Sequence, residues 1–278
     1  MTRRRLPIRP IGVFLIVVWS IVPIYWAAKT SLSTESDARA KPAQYVPTHP
    51  TLNNFKALLS GSGDVASGIR HSMVNIIIEC GLATIVTVVL ATLAAYPFAR
   101  MNFRGRNVLF YAVLATMAFP AYTTLIPLYK IMSDFGLVNT YTGIVLVYVS
   151  GFLPLATWIL HNYFSSLPSS IEEAGFIDGA SRVQVLWHVL LPVARPGIVS
   201  TALITFLFAW AQFLFPLVLS SDMSTQPLTV TIASLQGRHV VPITLLSAAG
   251  ILAIAVPAVI ALFFNRYIVN GLLAGSTK

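Results

Sequence analysis

A polar stretch at residues 165–196 contains the residues whose types and spacing suggest a function. Glu172, Glu173 and Asp178 supply carboxylates close to two glycines. The sequence lacks the phosphate-binding pattern G-x-x-x-x-G-K-[ST] and the catalytic patterns H-E-x-x-H and G-x-S-x-G. Its single cysteine, Cys80, excludes a disulfide framework and a thiolate metal site. We therefore predict no catalytic, cofactor-binding or metal-binding residues.

The first half of this stretch is predicted to form a short helix. Ser170 and Glu173 have the spacing of a capping box, so the helix should begin at Ser170. It should end near Gly179, because glycine adopts the left-handed conformation at little energetic cost.

A second helix is predicted after Gly179. Ser181 and Gln184 repeat the capping-box spacing, and Pro192 should end the helix. Its apolar residues are Val183, Leu186, Trp187 and Leu190. Two short helices with apolar residues on their surface could dock into the groove of a partner protein. They could equally lie on the membrane surface without docking, and physical reasoning on the residues leaves both interpretations open.

The rest of the chain is apolar enough to lie in a membrane. Of its 278 residues, 56% are hydrophobic and 10% are charged, whereas a soluble domain carries about 25% charged residues. The mean hydropathy is +0.77. These values exclude an ordinary soluble domain and a disordered chain. We predict an all-α integral membrane protein with six spans, located at 11–28, 73–99, 108–128, 137–160, 197–219 and 244–264.

The distribution of basic residues predicts the orientation. We divide the chain into a basic tail, 1–10, and one transmembrane domain, 11–278. If the amino terminus is cytoplasmic, 11 of the 18 Lys and Arg residues lie inside, including three arginines at 100–106. The positive-inside rule therefore favours two cytoplasmic termini. The alternative for the first span is a cleaved signal peptide, but its apolar run of about 18 residues is longer than a signal core.

The polar stretch resembles a known signature. Glu173-Ala-Gly-x3-Gly179-x9-Val189-x-Leu191-Pro192 is similar to the EAA signature, E-A-A-x3-G-x9-I-x-L-P, of ABC importer permease subunits. It departs from the signature at Gly175, which replaces alanine, and at Val189, which replaces isoleucine. The flanking Asp178-Gly179-Ala180 resembles the carbohydrate branch, the maltose-type second permease.

The resemblance implies a type I (MetI-like) importer permease in a bacterial cytoplasmic membrane. Residues 165–196, called the coupling loop below, would contact a separate ATPase that binds ATP and Mg²⁺. The residues that the resemblance assigns to this coupling are Glu172, Glu173, Ala174, Gly175, Asp178, Gly179, Ala180, Leu191 and Pro192. The other expected partners are a second homologous permease, a second ATPase subunit, an extracytoplasmic solute-binding protein, a carbohydrate and the lipid bilayer, with no nucleic acid. The chain itself is expected not to be an enzyme.

Four residues are candidates for the solute pathway. Glu79 is the only acid in a predicted span, near its outer boundary, where water or a headgroup could solvate it. Trp210, Gln212 and Phe213 lie in a stretch that resembles the family's F-A-W-N-x segment. Aromatic faces and an amide suit sugars, because C–H faces stack and hydroxyl groups need hydrogen-bond partners. The alternative role is packing for the aromatic residues and a structural or interfacial one for Glu79.

Other functions remain open at this point. The same machinery could import glycerol phosphate or a polyamine. A secondary transporter would show inverted repeats with broken mid-membrane helices, and the EAA-like stretch would then have no explanation. A structural membrane scaffold would show no uptake defect on deletion.

Overall fold

The computed structural model describes residues 8–237 and 241–274, in which the regular secondary structure is helical. Residues 1–7, which include most of the predicted basic tail, lie outside the described residues. A 3-10 turn, Thr116–Ala118, follows α5, and a π turn, Leu186–Leu190, joins α9 to α10. The helices are α1 (Ile8–Ser31), α2 (Glu35–Ala38), α3 (Asn53–Ser60), α4 (Asp64–Arg100), α5 (Arg106–Ala115), α6 (Ala121–Asp134), α7 (Tyr141–Ser166), α8 (Ser170–Ile177), α9 (Arg182–Val185), α10 (Leu191–Trp210), α11 (Leu214–Leu219), α12 (Leu228–Gln236) and α13 (Ile243–Ala274).

Five helical segments among the described residues are long and apolar enough to cross a membrane. They are Gly12–Ser31, Asp64–Arg100, Tyr141–Ser166, Arg182–Trp210 and Ile243–Asn265. A sixth candidate is the pair Arg106–Ala118 and Tyr122–Asp134, which is bent by 100°. The six predicted spans correspond to these six segments, although several boundaries differ.

The bend in the third span follows from its proline. A proline disfavours helical geometry in the residue before it. Phe119 is accordingly extended (φ −72°, ψ 123°), and Pro120 (φ −63°, ψ 130°) precedes the first residue of α6. The continuous helix predicted over 108–128 is therefore divided in two.

Two other spans differ from the predicted bounds for separate reasons. The second span, predicted at 73–99, is the helix Asp64–Arg100. It begins earlier than predicted because the polar residues before the apolar run are also helical. Asp64 is favourably placed near the positive end of the helix dipole. The 37 residues of this helix extend over about 55 Å, more than the hydrocarbon thickness of about 30 Å. The fifth, predicted at 197–219, begins earlier, ends at Trp210 and is followed after a short break by α11.

The chain divides into two compact units. Among the described residues, the first comprises 8–71, 230–237 and 241–256, and the second comprises 72–229 and 257–274. In the first unit, the side chain of Asn54 donates hydrogen bonds to the carbonyl oxygens of Ser31 (2.8 Å) and Ser33 (2.9 Å). These bonds attach α3 to the end of α1, so the segment after the first span is folded.

A core of small and large apolar side chains holds the second unit together at one end. It joins α4, α7, the π turn and α10. Alanines allow helix backbones to approach closely, which is a main source of stability between membrane helices. The buried members of this cluster, called the inner core below, are Ala91, Ala95, Tyr96, Ala156, Leu160, Phe164, Leu186, Leu190 and Ala194.

The opposite end of the second unit is held by side-chain amides. The Asn75 amide donates to the carbonyl oxygens of Met223 (3.0 Å) and Gln226 (3.1 Å), and its Oδ1 accepts a 2.7 Å bond from the Tyr141 hydroxyl. Asn139, which has a φ of +56°, accepts a 2.6 Å bond from the backbone N–H of Ser221. The loop after α11 is thus fixed to the start of α7.

The crossing of α10 with α7 depends on the lack of a side chain at Gly197. A Cβ atom there would lie 2.4–2.7 Å from ring atoms of Tyr163. Such a separation is shorter than any van der Waals contact, so the two helices could not keep their present distance with a larger residue.

We predict that Gly197→Ala lowers the thermal stability of the detergent-solubilised protein. Overpacking costs about 1–3 kcal/mol, which outweighs the gain in helix propensity of about 1 kcal/mol. Gly151→Ala is the matched control, because a Cβ in that α7 position meets no atom within 4 Å; it should stabilise the protein. Equal thermal shifts in the two variants would contradict the packing argument.

Candidate functional site

The coupling loop contains a glycine-terminated helix, as the sequence predicts. Gly179 lies after α8 with a φ of +80°. Its N–H donates to the Phe176 carbonyl (3.1 Å), and the N–H of Ala180 donates to the Gly175 carbonyl (3.0 Å). This pair of bonds is a Schellman motif. The prediction that α8 ends near Gly179 is confirmed.

The predicted start of α8 is only half correct. The helix does begin at Ser170, but the capping box of Ser170 and Glu173 is wrong. Ser169 precedes the helix with helical angles (φ −66°, ψ −27°) and makes no side-chain capping bond. A capping side chain requires an extended residue at that position, so a serine within the helix cannot take this role.

The second helix has the predicted start and continues past its predicted end. Ser181 and Gln184 form the capping box, with the Ser181 N–H donating to Gln184 Oε1 at 2.8 Å. The helix nevertheless passes through Pro192 and continues to Trp210, so the prediction that Pro192 ends it was wrong. The π turn immediately before the proline widens the helix, where a regular α-helix would bring the proline ring against a carbonyl oxygen.

The apolar residues of the coupling loop divide between the protein interior and its surface. Leu186 and Leu190 belong to the inner core. Val183 and Trp187 are 65% and 56% exposed, and Ile177, at the end of α8, is 85% exposed. The loop is therefore anchored on one side and presents apolar side chains on the other.

The predicted coupling residues lie at different depths. Glu172 and Gly175 are buried, and Ala180 and Leu191 are half-buried. The exposed members are Glu173, Ala174, Asp178, Gly179 and Pro192. Asp178, Gly179 and Ala180 also line a cavity of about 360 Å³, whose other walls are Gln184, His188 and Val189. A partner that enters this cavity would contact the backbone at the turn.

Arg100, which the pattern of basic residues identifies as a marker of orientation, is also part of the site. Its Nε lies 2.8 Å from Oε1 of Glu172. Burial raises the pKa of Glu172, while the positive charges of Arg100 and Arg182 oppose the rise. Arg100 and Glu172 are far apart in sequence. However, the arginine closes one span, and the glutamate lies in an acidic first turn in the next loop on the same side of the membrane. This arrangement could have suggested that the two side chains pair.

The pathway candidates fall into two places. Trp210, Gln212 and Phe213 lie at the break between α10 and α11, where the Gln212 carbonyl accepts a 3.0 Å bond from Thr229 Oγ1. Trp210 is 5% exposed, with its ring 5.7 Å from that of Phe206, whereas Phe213 is 39% exposed. Of the three, Phe213 is the side chain with the most surface available to a solute.

Glu79 is enclosed by the protein. Its side chain has no exposed surface, and neither carboxylate oxygen has a hydrogen-bond partner among the described residues. It lies within electrostatic range of Tyr141 and Tyr148 of α7. The expectation that water or a headgroup solvates it is therefore not met in this conformation, because the α4 face that carries it points into the second unit.

Gly175 packs against the second helix of the loop. A Cβ atom there would lie 3.1 Å from Val185 Cγ2 and 3.6 Å from Val189 Cγ2. The two departures from the EAA signature, Gly175 and Val189, therefore face each other, and both are smaller than the residues they replace. The glycine that weakens α8 as a helix thus allows its close contact with α9 and the π turn.

We predict that Gly175→Ala stabilises the protein more in a Val185→Ala background than in the wild type. Removing the Val185 methyl groups makes room for the alanine, and residues in contact typically show interaction energies of about 0.5–3 kcal/mol. Thermal unfolding of the four members of the cycle measures the effect. Val183→Ala, which changes an exposed neighbour, should show no such interaction with Gly175→Ala. If the effects of Gly175→Ala and Val185→Ala on stability are additive, the contact is disproved.

Comparison with known proteins places this arrangement in a family. Residues 87–273 match the family described as "Binding-protein-dependent transport system inner membrane component". The trehalose/maltose transport system permease protein MalG of Thermococcus litoralis is 35% identical over 269 residues, which cover 96% of this chain and 95% of the relative. The sulfoquinovosyl glycerol transport system permease protein SmoH of Agrobacterium fabrum is 32% identical, covering 98% of this chain and 94% of the relative.

Solved structures confirm the predicted fold. A bacterial ABC transporter involved in the import of the acidic polysaccharide alginate superposes with a TM-score of 0.78 at 21% identity, covering 94% of this chain and 95% of that one. The methionine transporter MetNI superposes with a TM-score of 0.52 at 19% identity. The chain belongs to the family of binding-protein-dependent ABC importer permeases, as a multi-pass, non-catalytic transmembrane subunit.

Proposed function

We propose that the chain is one of two homologous permeases that together form the pathway of a carbohydrate importer. Two ATPase subunits would bind ATP and Mg²⁺, and an extracytoplasmic binding protein would deliver the solute. The permease relatives named for trehalose, maltose and sulfoquinovosyl glycerol support the carbohydrate. The fold alone does not select the solute, since a methionine transporter shares it.

The observation that carries the proposal is the shape of the coupling loop. A rigid turn at Gly179 projects between two short helices, with Glu173, Asp178 and Ile177 exposed around it. We place this loop and both termini in the cytoplasm, as the excess of basic residues on that side favours. The loop would occupy a cleft of an ATPase subunit and pass the closure of the ATPase dimer to the membrane helices.

The solute would pass the break between α10 and α11. Backbone polar groups that leave a helix at membrane depth need a protein or water-filled environment, and Gln212 and Phe213 lie at this break. We assign Trp210, Gln212 and Phe213 to the pathway wall, together with the stacked rings of Phe152 and Phe208, whose centroids are 6.4 Å apart. A panel of trehalose, maltose and alginate oligosaccharide tests the solute class by stimulation of ATP hydrolysis.

We predict that Gly179→Ala weakens ATPase binding, because an L-residue in the left-handed region costs about 1–2 kcal/mol. Recovery of the ATPase with the purified chain should fall by about 5- to 30-fold, the factor that such an energy corresponds to. Gly105→Ala is the matched control: Gly105 has a φ of +83°, and a Cβ at either glycine meets no atom within 4 Å.

The control carries the same backbone strain in the turn between α4 and α5, outside the coupling loop. Gly105→Ala should leave ATPase recovery unchanged. If the two variants lose the ATPase equally, the loss reflects general instability. If both retain it fully, the loop is not the ATPase contact and the proposal fails.

For Glu79 we predict that the conservative variant Glu79→Gln leaves solute uptake unchanged. The variant keeps the size of a side chain that has no exposed surface, so a direct solute contact is not removed. Uptake of the stimulating sugar in proteoliposomes measures the effect. A higher KM at an unchanged protein level would instead assign Glu79 to the pathway.

A further inference from the structure

The Arg100–Glu172 ion pair lies where three helices meet. Arg100 is the last residue of α4, and Glu172 lies in the first turn of α8. The guanidinium also donates from Nη2 to the carbonyl oxygen of Leu167 at 2.7 Å. Leu167 follows the last residue of α7. One side chain therefore connects the ends of two membrane helices to the first helix of the coupling loop.

The pair is enclosed rather than solvent-exposed. The side chains of Arg100 and Glu172 are 11% and 8% exposed. Tyr96, one turn earlier in α4, is 5% exposed and lies within range of both charges and of Arg182. A carboxylate in this position cannot reach a protein that binds to the outside of the loop, in contrast to its exposed neighbour Glu173.

Stability is a poor explanation for such a pair. Removing two charges from water can cost more than their attraction returns, and apolar replacements of buried pairs are often neutral or stabilising. The geometry here is also imperfect, since the 2.8 Å contact between Nε and Oε1 does not meet hydrogen-bond angles. In several systems, buried polar or ionic groups instead fix one arrangement of the groups they join.

Other contacts also connect the coupling loop to the membrane helices. Gly175 packs on Val185, and the π turn is part of the inner core with α4 and α7. The second helix of the loop passes motion on through its continuation into α10 and through apolar packing in the inner core. The ion pair is the polar attachment of α8 to α4, and the Leu167 bond joins the same arginine to the residue after α7.

We propose that Arg100 and Glu172 are positioning residues that make α4 follow the coupling loop and the end of α7 when the ATPase subunits move. The inference rests on the proposed function and deepens it. In this proposal Glu172 faces the protein interior and transmits motion, and the exposed residues of the loop contact the ATPase. Without the pair, α4 would lose its polar attachment to α8.

The test uses the assembled importer in lipid nanodiscs, with both permeases and both ATPase subunits. ATP hydrolysis is measured with and without the purified binding protein, and the ratio of the two rates reports communication across the membrane. Glu172→Gln and Arg100→Gln each leave one buried partner unpaired, which lowers assembly for a trivial reason. The double variant Arg100→Gln/Glu172→Gln removes both charges and avoids this penalty.

We expect the double variant to assemble better than either single variant while its stimulation ratio falls by about fivefold or more, as loss of an allosteric coupling energy predicts. Arg100→Lys/Glu172→Asp, which keeps both charges, should restore part of the ratio. A normal ratio in the assembled double variant would overturn the proposal, since the pair would then be packing alone.

Glu173→Gln separates this inference from the proposed function. Glu173 is exposed on the same turn of α8, and its variant should reduce ATPase recovery while the complexes that do form keep a normal ratio. If wild-type importer recovers no ATPase, the proposed function fails. If it recovers ATPase and Glu173→Gln lowers the ratio as much as the double variant does, the assignment of transmission to Arg100 and Glu172 fails.

Discussion

The close approach of α4, α7 and α10 around the inner core is the constraint on which the second unit depends. A membrane gives apolar side chains little reason to leave lipid for protein, so helices associate there through close packing and a few polar contacts. Four alanines and Gly197 supply the close packing. Because Leu186 and Leu190 belong to the same core, the coupling loop begins its second helix already attached to the membrane helices.

This attachment explains why the loop can be exposed on one side and rigid on the other. Its exposed side chains are free to recognise a partner, and their positions are set by contacts that the partner does not touch. The Schellman turn at Gly179 and the capping box at Ser181 satisfy the backbone between the two helices. A rigid loop of this kind can transmit a displacement to the membrane helices, whereas a flexible loop would not.

Local chemistry determined which features could be predicted from sequence. Gly179 and the Ser181–Gln184 box involve residues within a few positions of each other, and both were predictable. The continuation of the helix through Pro192 was not, because the π turn that permits it forms when Leu186 and Leu190 pack into a core assembled from distant helices. The Arg100–Glu172 pair also joins distant segments, and its sequence signal is limited to an arginine at the end of one span and an acidic first turn in a later loop. Glu79 shows that hydropathy gives depth in the membrane without showing which way a helix face points.

The family resemblance gave a more specific prediction of function than the physical patterns in the sequence could. An exposed apolar loop could have been a docking surface or a membrane-surface helix pair, and only the spacing from Glu173 to Pro192 distinguished them at the level of sequence. That spacing does not identify the substrate, because permeases with this fold serve solutes as different as methionine and alginate.

The π turn also sets the rotational phase of the coupling loop. A residue in an α-helix advances the side-chain direction by about 100°, and a π turn accommodates one residue more than an α turn does. The azimuth at which α9 and Gly179 project from α10 is thus fixed by a count of residues between Val185 and Leu191. A single deletion there would leave α8, Gly179 and α9 unchanged in sequence and aim them in a different direction.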